Sequence, residues 1–176
     1  MNMIQKAKEQ VQGLTKQAYT AAVKENLLPE GVTVEPSVEI PKDVSNGDYT
    51  TTFCLAAAKA MKMNPRQVAT ILTEHMALEG SYFTSVEIAG PGFMNFRLGD
   101  KWFGDTVTAI ESAGPDYGCS DMLKGRKIMV EFVSANPTGP MHMGNARGGV
   151  LGDTLASVLA ACGADVSREF YVNDAG

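Results

Sequence analysis

The sequence predicts an α/β protein in two parts: an α+β part, in which helices accompany an antiparallel sheet, and then a single β-α-β unit. Two observations favour this class. Apolar residues recur at helical spacing near the N-terminus, and two apolar runs flank a Gly-Pro-Gly turn at 90–92, as in a hairpin. Further along, an apolar run, a Gly-rich helical segment and a second apolar run follow in order, which is typical of parallel strands. We expect the boundary in the loop 116–126, which gives domains 1–118 and 119–176.

The first part begins with a long amphipathic helix, predicted to stop near Leu28-Pro29. The segment 32–40 then alternates like a strand, and Pro36 and Pro41 favour an edge position because proline cannot donate to a ladder. The apolar residues predicted on the buried face of the first helix are Ile4, Ala7, Val11, Leu14, Ala18 and Ala22.

Two shorter helices, a hairpin and a fourth helix follow. The second helix comes after Gly47-Asp48, and the third begins at Asn64, a capping residue, with Pro65 in the first helical position. The hairpin strands are predicted at 83–89 and 93–98, and the fourth helix ends at Gly114-Pro115. The predicted inward residues are Phe53, Ala56, Ala57, Ala60 and Met61 in the second helix, and Val68, Ile71, Leu72, His75 and Met76 in the third, with His75 structural.

The second part reads as a strand at 127–133, a helix from about Gly144 to Cys162 ended by Gly163, and a strand at 165–172. Gly148 and Gly149 are expected to let the helix approach the sheet closely. Its predicted buried stripe is Leu151, Leu155, Val158, Leu159 and Cys162.

The loop between the first of these strands and the helix is dense in Gly, Pro and polar residues, and it predicts a phosphate site. The free N–H groups of a helix start attract anions, His142 and Asn145 add side-chain donors, and Gly144 lets a flat ring approach the backbone. Neither the P-loop pattern nor Gly-x-Gly-x-x-Gly is present. The order of strand, phosphate-binding loop, helix and strand nevertheless predicts the first unit of a Rossmann-like nucleotide-binding domain. Two parallel strands are too few to close such a sheet, so we expect an N-terminal fragment of a longer protein.

Composition limits the function classes. The chain has 176 residues, 44% of them hydrophobic, and can bury a core. It has neither a run of about 20 apolar residues nor a signal-peptide core, which predicts a cytoplasmic protein without a membrane partner. Three cysteines without Cys-x-x-Cys spacing indicate neither a disulfide framework nor a metal site. The net charge of −5 argues against general nucleic-acid binding, but leaves room for a local RNA surface.

One motif narrows the interpretation. His142-Met-Gly-Asn145 resembles the HIGH motif of class I aminoacyl-tRNA synthetases, and the stretches 130–149, 151–153 and 168–176 together resemble arginyl-tRNA synthetases. Asn145 departs from the motif, which usually has a second His there. A weaker resemblance, to the N-terminal additional domain of that family, is found in the segments 47–52, 64–66 and 88–98.

The resemblance implies roles for individual residues in ATP and tRNA binding. His142 and Asn145 would act in catalysis as donors to ATP phosphates, with Gly144 and Pro140 also in the ATP site. Phe93 and Asn95 would contact an unpaired base of the tRNA where its D-loop lies. The alternative is that Phe93 packs in the core and Asn95 caps a strand.

The resemblance also implies an arginine site. Glu131 would bind the guanidinium of arginine, while Ser134 and Asn136 would lie beside its amino-acid group. The alternatives are that Glu131 forms a structural ion pair with Arg168 or Lys127, and that Asn136 is only a turn residue before a proline.

The implied activity is that of an arginine–tRNA ligase, which activates L-arginine with ATP, accompanied by Mg²⁺, and transfers it to tRNA(Arg). The fragment itself is expected to be inactive. Two other classes remain open: a nucleotidyltransferase of the His-x-Gly-His type and a non-catalytic RNA-binding module. The long segment before His142 and the presence of Glu131 and Asn136 argue against the nucleotidyltransferase. A Lys-Met-Ser-Lys-Ser-like loop in a longer sequence would favour the ligase.

Overall fold

The computed structural model describes residues 2–173, which divide into two compact units, 2–112 and 113–173. The first unit combines helices with an antiparallel sheet and the second is a β-α-β unit, so the predicted fold class is confirmed. Short 3₁₀ helices lie at Val44–Asn46 and Gly114–Asp116. The elements in chain order are α1 (Met3–Lys24), β1 (Val38–Glu39), β2 (Tyr49–Thr51), α2 (Phe53–Met61), α3 (Pro65–Glu74), β3 (Phe83–Ala89), β4 (Phe93–Leu98), α4 (Asp100–Ala113), β5 (Lys127–Glu131), α5 (Met143–Ala161) and β6 (Asp165–Glu169).

The four-stranded sheet of the first unit has the order β1-β2-β4-β3, with antiparallel neighbours throughout. The predicted hairpin of β3 and β4 is confirmed at both predicted boundaries. Met94 and Phe96 of β4 are fully buried in the core with residues of α1, α2 and α3. Since side chains alternate along a strand, the residues between them lie on the opposite face of the sheet, here called the outer face.

Helix α1 is shorter than predicted. Ala7, Val11 and the other predicted small apolar residues are buried, but Ile4 is exposed and Met3 is buried instead. The helix ends at Lys24, because Asn26 adopts a left-handed conformation with φ of 59° that the helix cannot continue.

The predicted strand at 32–40 is mostly irregular chain that packs along α1. The Tyr19 hydroxyl donates to Pro29 O at 2.7 Å and accepts from Val32 N at 3.2 Å. Pairing begins only at Val38, because Pro36 is buried and has no N–H to contribute to a ladder. The resulting strand β1 does lie at the edge of the sheet, as predicted.

Strand β2 was not predicted, and it precedes α2. Tyr49 and Thr51 are buried and Thr50 lies between them on the outer face. In α2 the buried positions next to Ala57 include Cys54 and Ala58, whereas Ala56 and Ala60 are exposed, contrary to the prediction.

Helix α3 begins as predicted, with Asn64 Oδ1 accepting from Arg66 N at 2.9 Å. His75, which caps the C-terminal end of α3, has a structural role. The imidazole Nδ1 lies 2.7 Å from Ile71 O and Nε2 lies 3.2 Å from Glu25 Oε2, so the ring joins the ends of α3 and α1. These two contacts raise the pKa of His75 above its ordinary value, and the hydrogen bond to the Ile71 carbonyl is the largest single cause.

The second unit has parallel β5 and β6, with Lys127 opposite Asp165 and Glu131 opposite Glu169. Both strands are shorter than predicted. Strand β5 stops before Val133, whose φ of 62° departs from extended backbone. The end of the matched stretch 168–176, from Asp174 onward, lies outside the described residues.

The predicted buried stripe of α5 is wrong for Leu151, Leu155 and Val158, whereas Leu159 and Cys162 are half-buried. Leu151 is 72% exposed and Leu155 and Val158 are about half exposed, whereas Gly152 and Ala156 are buried. The side of α5 that packs is its small-residue side, because the Phe132 ring occupies the space where a Cβ on Gly152 would lie. Gly152 thus makes the close approach that was predicted for Gly148 and Gly149, although Gly149 does lie near Val133.

Candidate functional site

The loop after β5, the start of α5 and the segment after β6 enclose a cleft of about 630 Å³. Of the residues predicted for the ATP and arginine sites, this cleft brings together four: Asn136, Pro140, His142 and Asn145. Glu131, Ser134 and Gly144 do not line it. Gly144 lies instead beside an apolar cavity of about 720 Å³ on another side of α5.

His142 and Asn145 hold each other at the start of α5 in a capping box. His142 Nδ1 accepts from Gly144 N at 3.0 Å, and Asn145 Oδ1 accepts from His142 N at 3.1 Å. The imidazole lies directly over Gly144, where an added Cβ would be 2.8 Å from its Cε1 atom. A side chain at position 144 would therefore displace the His142 ring.

This arrangement determines which atoms remain free to bind a ligand. Because His142 Nδ1 accepts a hydrogen bond, the proton of the neutral ring is on Nε2. Because Asn145 Oδ1 is also occupied, its Nδ2 amino group is the part left over. Both side chains therefore present N–H donors beside the helix start, where the backbone dipoles favour an anion.

Two hydrogen bonds join the loop after β5 to the segment after β6. Ser134 Oγ accepts from Tyr171 N at 2.9 Å, and Asn136 Oδ1 accepts from Asn173 Nδ2 at 2.6 Å. These bonds hold the two chain segments together beyond the carboxyl ends of β5 and β6. In this state the Ser134 hydroxyl keeps its own proton for a further hydrogen bond, and Asn136 keeps its amino group.

Glu131 lies at the carboxyl end of β5 and is exposed, whereas only Val130 of that strand is buried. Neither of the ion pairs considered for it forms. The Arg168 guanidinium donates to Asp153 Oδ1 at 3.0 Å and to Ser157 on α5, and Lys127 makes no ion pair within residues 2–173.

Glu169 pairs with Glu131 in register, so two carboxylates lie side by side on one face of the strand pair. Sequence reasoning missed Glu169. Only the register of β5 on β6 brings Glu169 beside Glu131, and a single sequence does not specify register, so no sequence signal indicated this pairing.

The second candidate surface is the outer face of the four-stranded sheet. Phe93 is half-buried and is not part of the core cluster. Asn95 is in the middle of β4, between Thr50 and Glu87, so it does not cap a strand. The turn before Phe93 is fastened to α3 by Arg66, whose Nη1 donates to Gly90 O at 2.8 Å.

Within the part of the chain that the structure describes, no group of three or more His, Cys, Asp or Glu side chains is arranged to hold a metal ion, and no helix is long and apolar enough to cross a membrane. Burial raises the pKa of the Cys54 thiol to about 12, so this cysteine is an unreactive core residue.

Comparison with known protein families distinguishes the remaining interpretations. The model described as "Arginyl tRNA synthetase N terminal domain" matches residues 5–98, more than half of the chain. The chain belongs to the arginyl-tRNA synthetase family. A second model, described as "tRNA synthetases class I (R), catalytic domain", matches residues 106–176, so the predicted family is confirmed for both parts.

Curated relatives with similar sequences support the same family. Two arginine–tRNA ligases, from Acetivibrio thermocellus and Caldanaerobacter subterraneus subsp. tengcongensis, are 48% and 49% identical over 175 residues. These matches cover 99% of this chain and 31% of each relative, so the chain spans about a third of the length of the relatives it matches.

Solved structures give the same fold. The Thermus thermophilus arginyl-tRNA synthetase matches with a TM-score of 0.52 and 26% identity, covering 96% of this chain and 26% of that one. The arginyl-tRNA synthetase of Plasmodium falciparum has a TM-score of 0.60 at 12% identity, over 93% of this chain and 30% of that chain, and supports the fold alone.

Proposed function

We propose that this chain supplies the tRNA-contacting domain and the first nucleotide-binding unit of an arginine–tRNA ligase. The observation that carries the proposal is the pair of free N–H donors, on His142 and Asn145, at the start of a helix in a segment matched by the class I catalytic model. The two compact units and the two family models support two domains. We assign these domains to 1–118 and 119–176, a boundary six residues after the division between the compact units.

The reaction has two steps. A carboxylate oxygen of arginine attacks the α-phosphorus of ATP, the bond to pyrophosphate breaks, and arginyl-adenylate forms. A hydroxyl of the terminal ribose of tRNA(Arg) then attacks the arginyl carbonyl, and AMP leaves.

His142 Nε2 and Asn145 Nδ2 would donate to phosphate oxygens as negative charge builds during the first step. Since the capping box already fixes both side chains, little reorganisation is needed when the phosphates arrive. Mg²⁺ would accompany ATP and would neutralise part of the phosphate charge.

The guanidinium of arginine fits the Glu131 carboxylate. Within residues 2–173 Glu131 is exposed and makes no ion pair, so its carboxylate is available to a planar cation in a bidentate arrangement. Glu169, its neighbour in register, places a second negative charge beside the same position. Ser134 and Asn136 would present their remaining donors to the amino-acid group.

The outer face of the sheet is the proposed tRNA surface. Phe93 offers an aromatic ring outside the core, and Asn95 offers an amide two residues along the same strand, on the same side. Stacking on an aromatic ring combined with hydrogen bonding to a base edge is how proteins recognise unpaired RNA bases.

The chemistry can be tested in a chimera, in which this chain replaces the matching segment of the Acetivibrio thermocellus ligase. We expect arginine-dependent exchange of pyrophosphate into ATP and arginylation of tRNA(Arg), with exchange lost when His142→Ala is introduced. A chimera that melts like its parent but shows no arginine-dependent exchange would overturn the ligase proposal. If the 176-residue chain still bound tRNA(Arg) in that case, it would favour the RNA-binding module.

A further inference from the structure

Two polar side chains on the outer face of the sheet make no hydrogen bond within residues 2–173. Asn95 is only 7% exposed, yet no hydrogen bond within residues 2–173 engages its side-chain amide. Thr50 lies directly opposite on β2, and its Oγ1 atom is buried without a partner. Buried polar atoms in folded proteins are nearly always paired, so the Thr50 hydroxyl calls for a physical explanation, whereas the Asn95 amide still reaches solvent.

The shape of the site does not require a hydroxyl at position 50. Valine has the same branched shape as threonine, suits a strand equally well, and would leave no hydroxyl unpaired. The Thr50 methyl group therefore accounts for packing, whereas the Thr50 hydroxyl makes no hydrogen bond within residues 2–173.

The two side chains are within reach of each other. Directly opposite residues of an antiparallel pair have Cβ atoms about 4.5–5.5 Å apart, so a side-chain rotation brings the hydroxyl and the amide into hydrogen-bond contact. An amide has one acceptor end and one donor end, and a hydroxyl can pair with either. If Thr50 holds one end of the Asn95 amide, the other end faces outward in a single orientation.

We propose that Thr50 is a positioning residue for base recognition: its hydroxyl pairs with the Asn95 amide when an unpaired base of the tRNA docks, and so fixes which end of the amide meets the base. This inference rests on the proposed tRNA binding by the outer face. The Thr50 hydroxyl itself does not touch the RNA, because it is closed off from solvent. The docked base supplies the hydrogen bond that offsets the rotation.

The test measures binding of the 176-residue chain to a tRNA(Arg) transcript. Thr50→Val should weaken binding about three- to tenfold, the effect of one net hydrogen bond, while the melting temperature is unchanged or higher. Thr50→Ser, which keeps the hydroxyl, should restore affinity to within about twofold. Ser85→Ala removes a hydroxyl from the same face, beside Arg97 instead of Asn95, and should change nothing.

The coupling to Asn95 decides the mechanism. In an Asn95→Ala background, Thr50→Val should have no further effect, because the group it orients is gone. Unchanged affinity in Thr50→Val, or an equal loss with and without Asn95, overturns the inference. If Thr50→Val does not fold, Thr50→Ala takes its place in the same cycle. Failure of the proposed tRNA surface is distinguishable, because Phe93→Ala and Asn95→Ala would then also bind normally.

Discussion

Asn145 uses both ends of its side-chain amide: Oδ1 caps α5, and Nδ2, which makes no hydrogen bond within residues 2–173, is the proposed phosphate donor. In the chimeric ligase, Asn145→Ala should slow adenylate formation by the equivalent of about 2.7–4 kcal/mol, the cost of losing an oxyanion-type donor. Restoring the family's residue with Asn145→His should change the rate only modestly, since an N–H donor is retained. Single-turnover measurement of arginyl-adenylate gives both values.

His142→Ala should cost a similar amount, and the double variant less than the sum, because both donors serve one developing charge. Near-normal adenylate formation in Asn145→Ala would mean that Asn145 is only a helix cap.

Glu131 can be tested separately from the phosphates. Glu131→Gln in the same chimera should weaken arginine binding by about 1.5–3 kcal/mol, the scale of a hydrogen bond to a charged group, with little change in ATP affinity. Equilibrium binding of each substrate measures this. Glu169→Gln is the matched variant, since it removes the neighbouring carboxylate and leaves Glu131 in place. Unaltered arginine affinity in Glu131→Gln would remove Glu131 from the arginine site.

His75 makes the stability of the first unit depend on pH. Its pKa is raised above the ordinary value of 6.5, so the folded state favours the protonated ring. The stabilisation is therefore complete below the unfolded pKa and is lost as pH rises through the folded pKa. The melting-temperature difference between the parent and His75→Gln, followed by circular dichroism, should be larger at about pH 5.5 than at about pH 8.

Glu25→Gln should reduce the same pH dependence, because it removes the charge that faces His75 Nε2. A difference between parent and His75→Gln that is constant across this range would contradict the expectation.

Helices and strands bounded by Gly, Pro or a capping residue were predicted well, whereas the residues that pack against one another were not. The Gly-Pro-Gly turn gave both hairpin strands, and Asn64-Pro65 gave the start of α3. The three-residue β2 has no periodicity to recognise. In α5 the apolar residues form a stripe that a sheet lying along it would bury. The contact between α5 and the strand pair is made instead by Gly152 and Phe132.

The residues of the candidate site were also predicted to different extents, depending on whether they are close together in the sequence. His142, Asn145, Pro140 and Asn136 are near one another in sequence, so a local motif found them. Glu169 and Thr50 acquire their neighbours only through strand register, which a single sequence does not specify.

The contact of α5 with the strand pair depends on Gly152. Gly152→Ala puts a methyl group into the Phe132 ring, and such overpacking costs about 1–3 kcal/mol. Gly148→Ala is the matched control, because nothing lies within 4 Å of its added Cβ and alanine favours a helix by about 0.5–1 kcal/mol. Hydrogen exchange of the α5 amides should accelerate in Gly152→Ala and slow in Gly148→Ala. Equal protection in both variants would contradict this packing.

For the whole molecule, we expect the 176-residue chain by itself to form no arginyl-adenylate. The cleft is bounded by a single β-α-β unit, and the apolar side chains of α5 are exposed to water. Such a site leaves phosphates solvated, which weakens every electrostatic contact made to them. Pyrophosphate exchange at a rate comparable to that of a complete ligase would contradict the expectation.

The single tryptophan of the chain is Trp102, in α4. Its indole N–H donates to Met3 O at 3.3 Å, so the ring reports whether α4 is docked on the start of α1. Intrinsic fluorescence excited at the indole band therefore follows the first unit, where the ring lies. An emission-based unfolding curve measures the contact between α4 and α1, so the effect of Gly152→Ala has to be read from a probe on α5 itself.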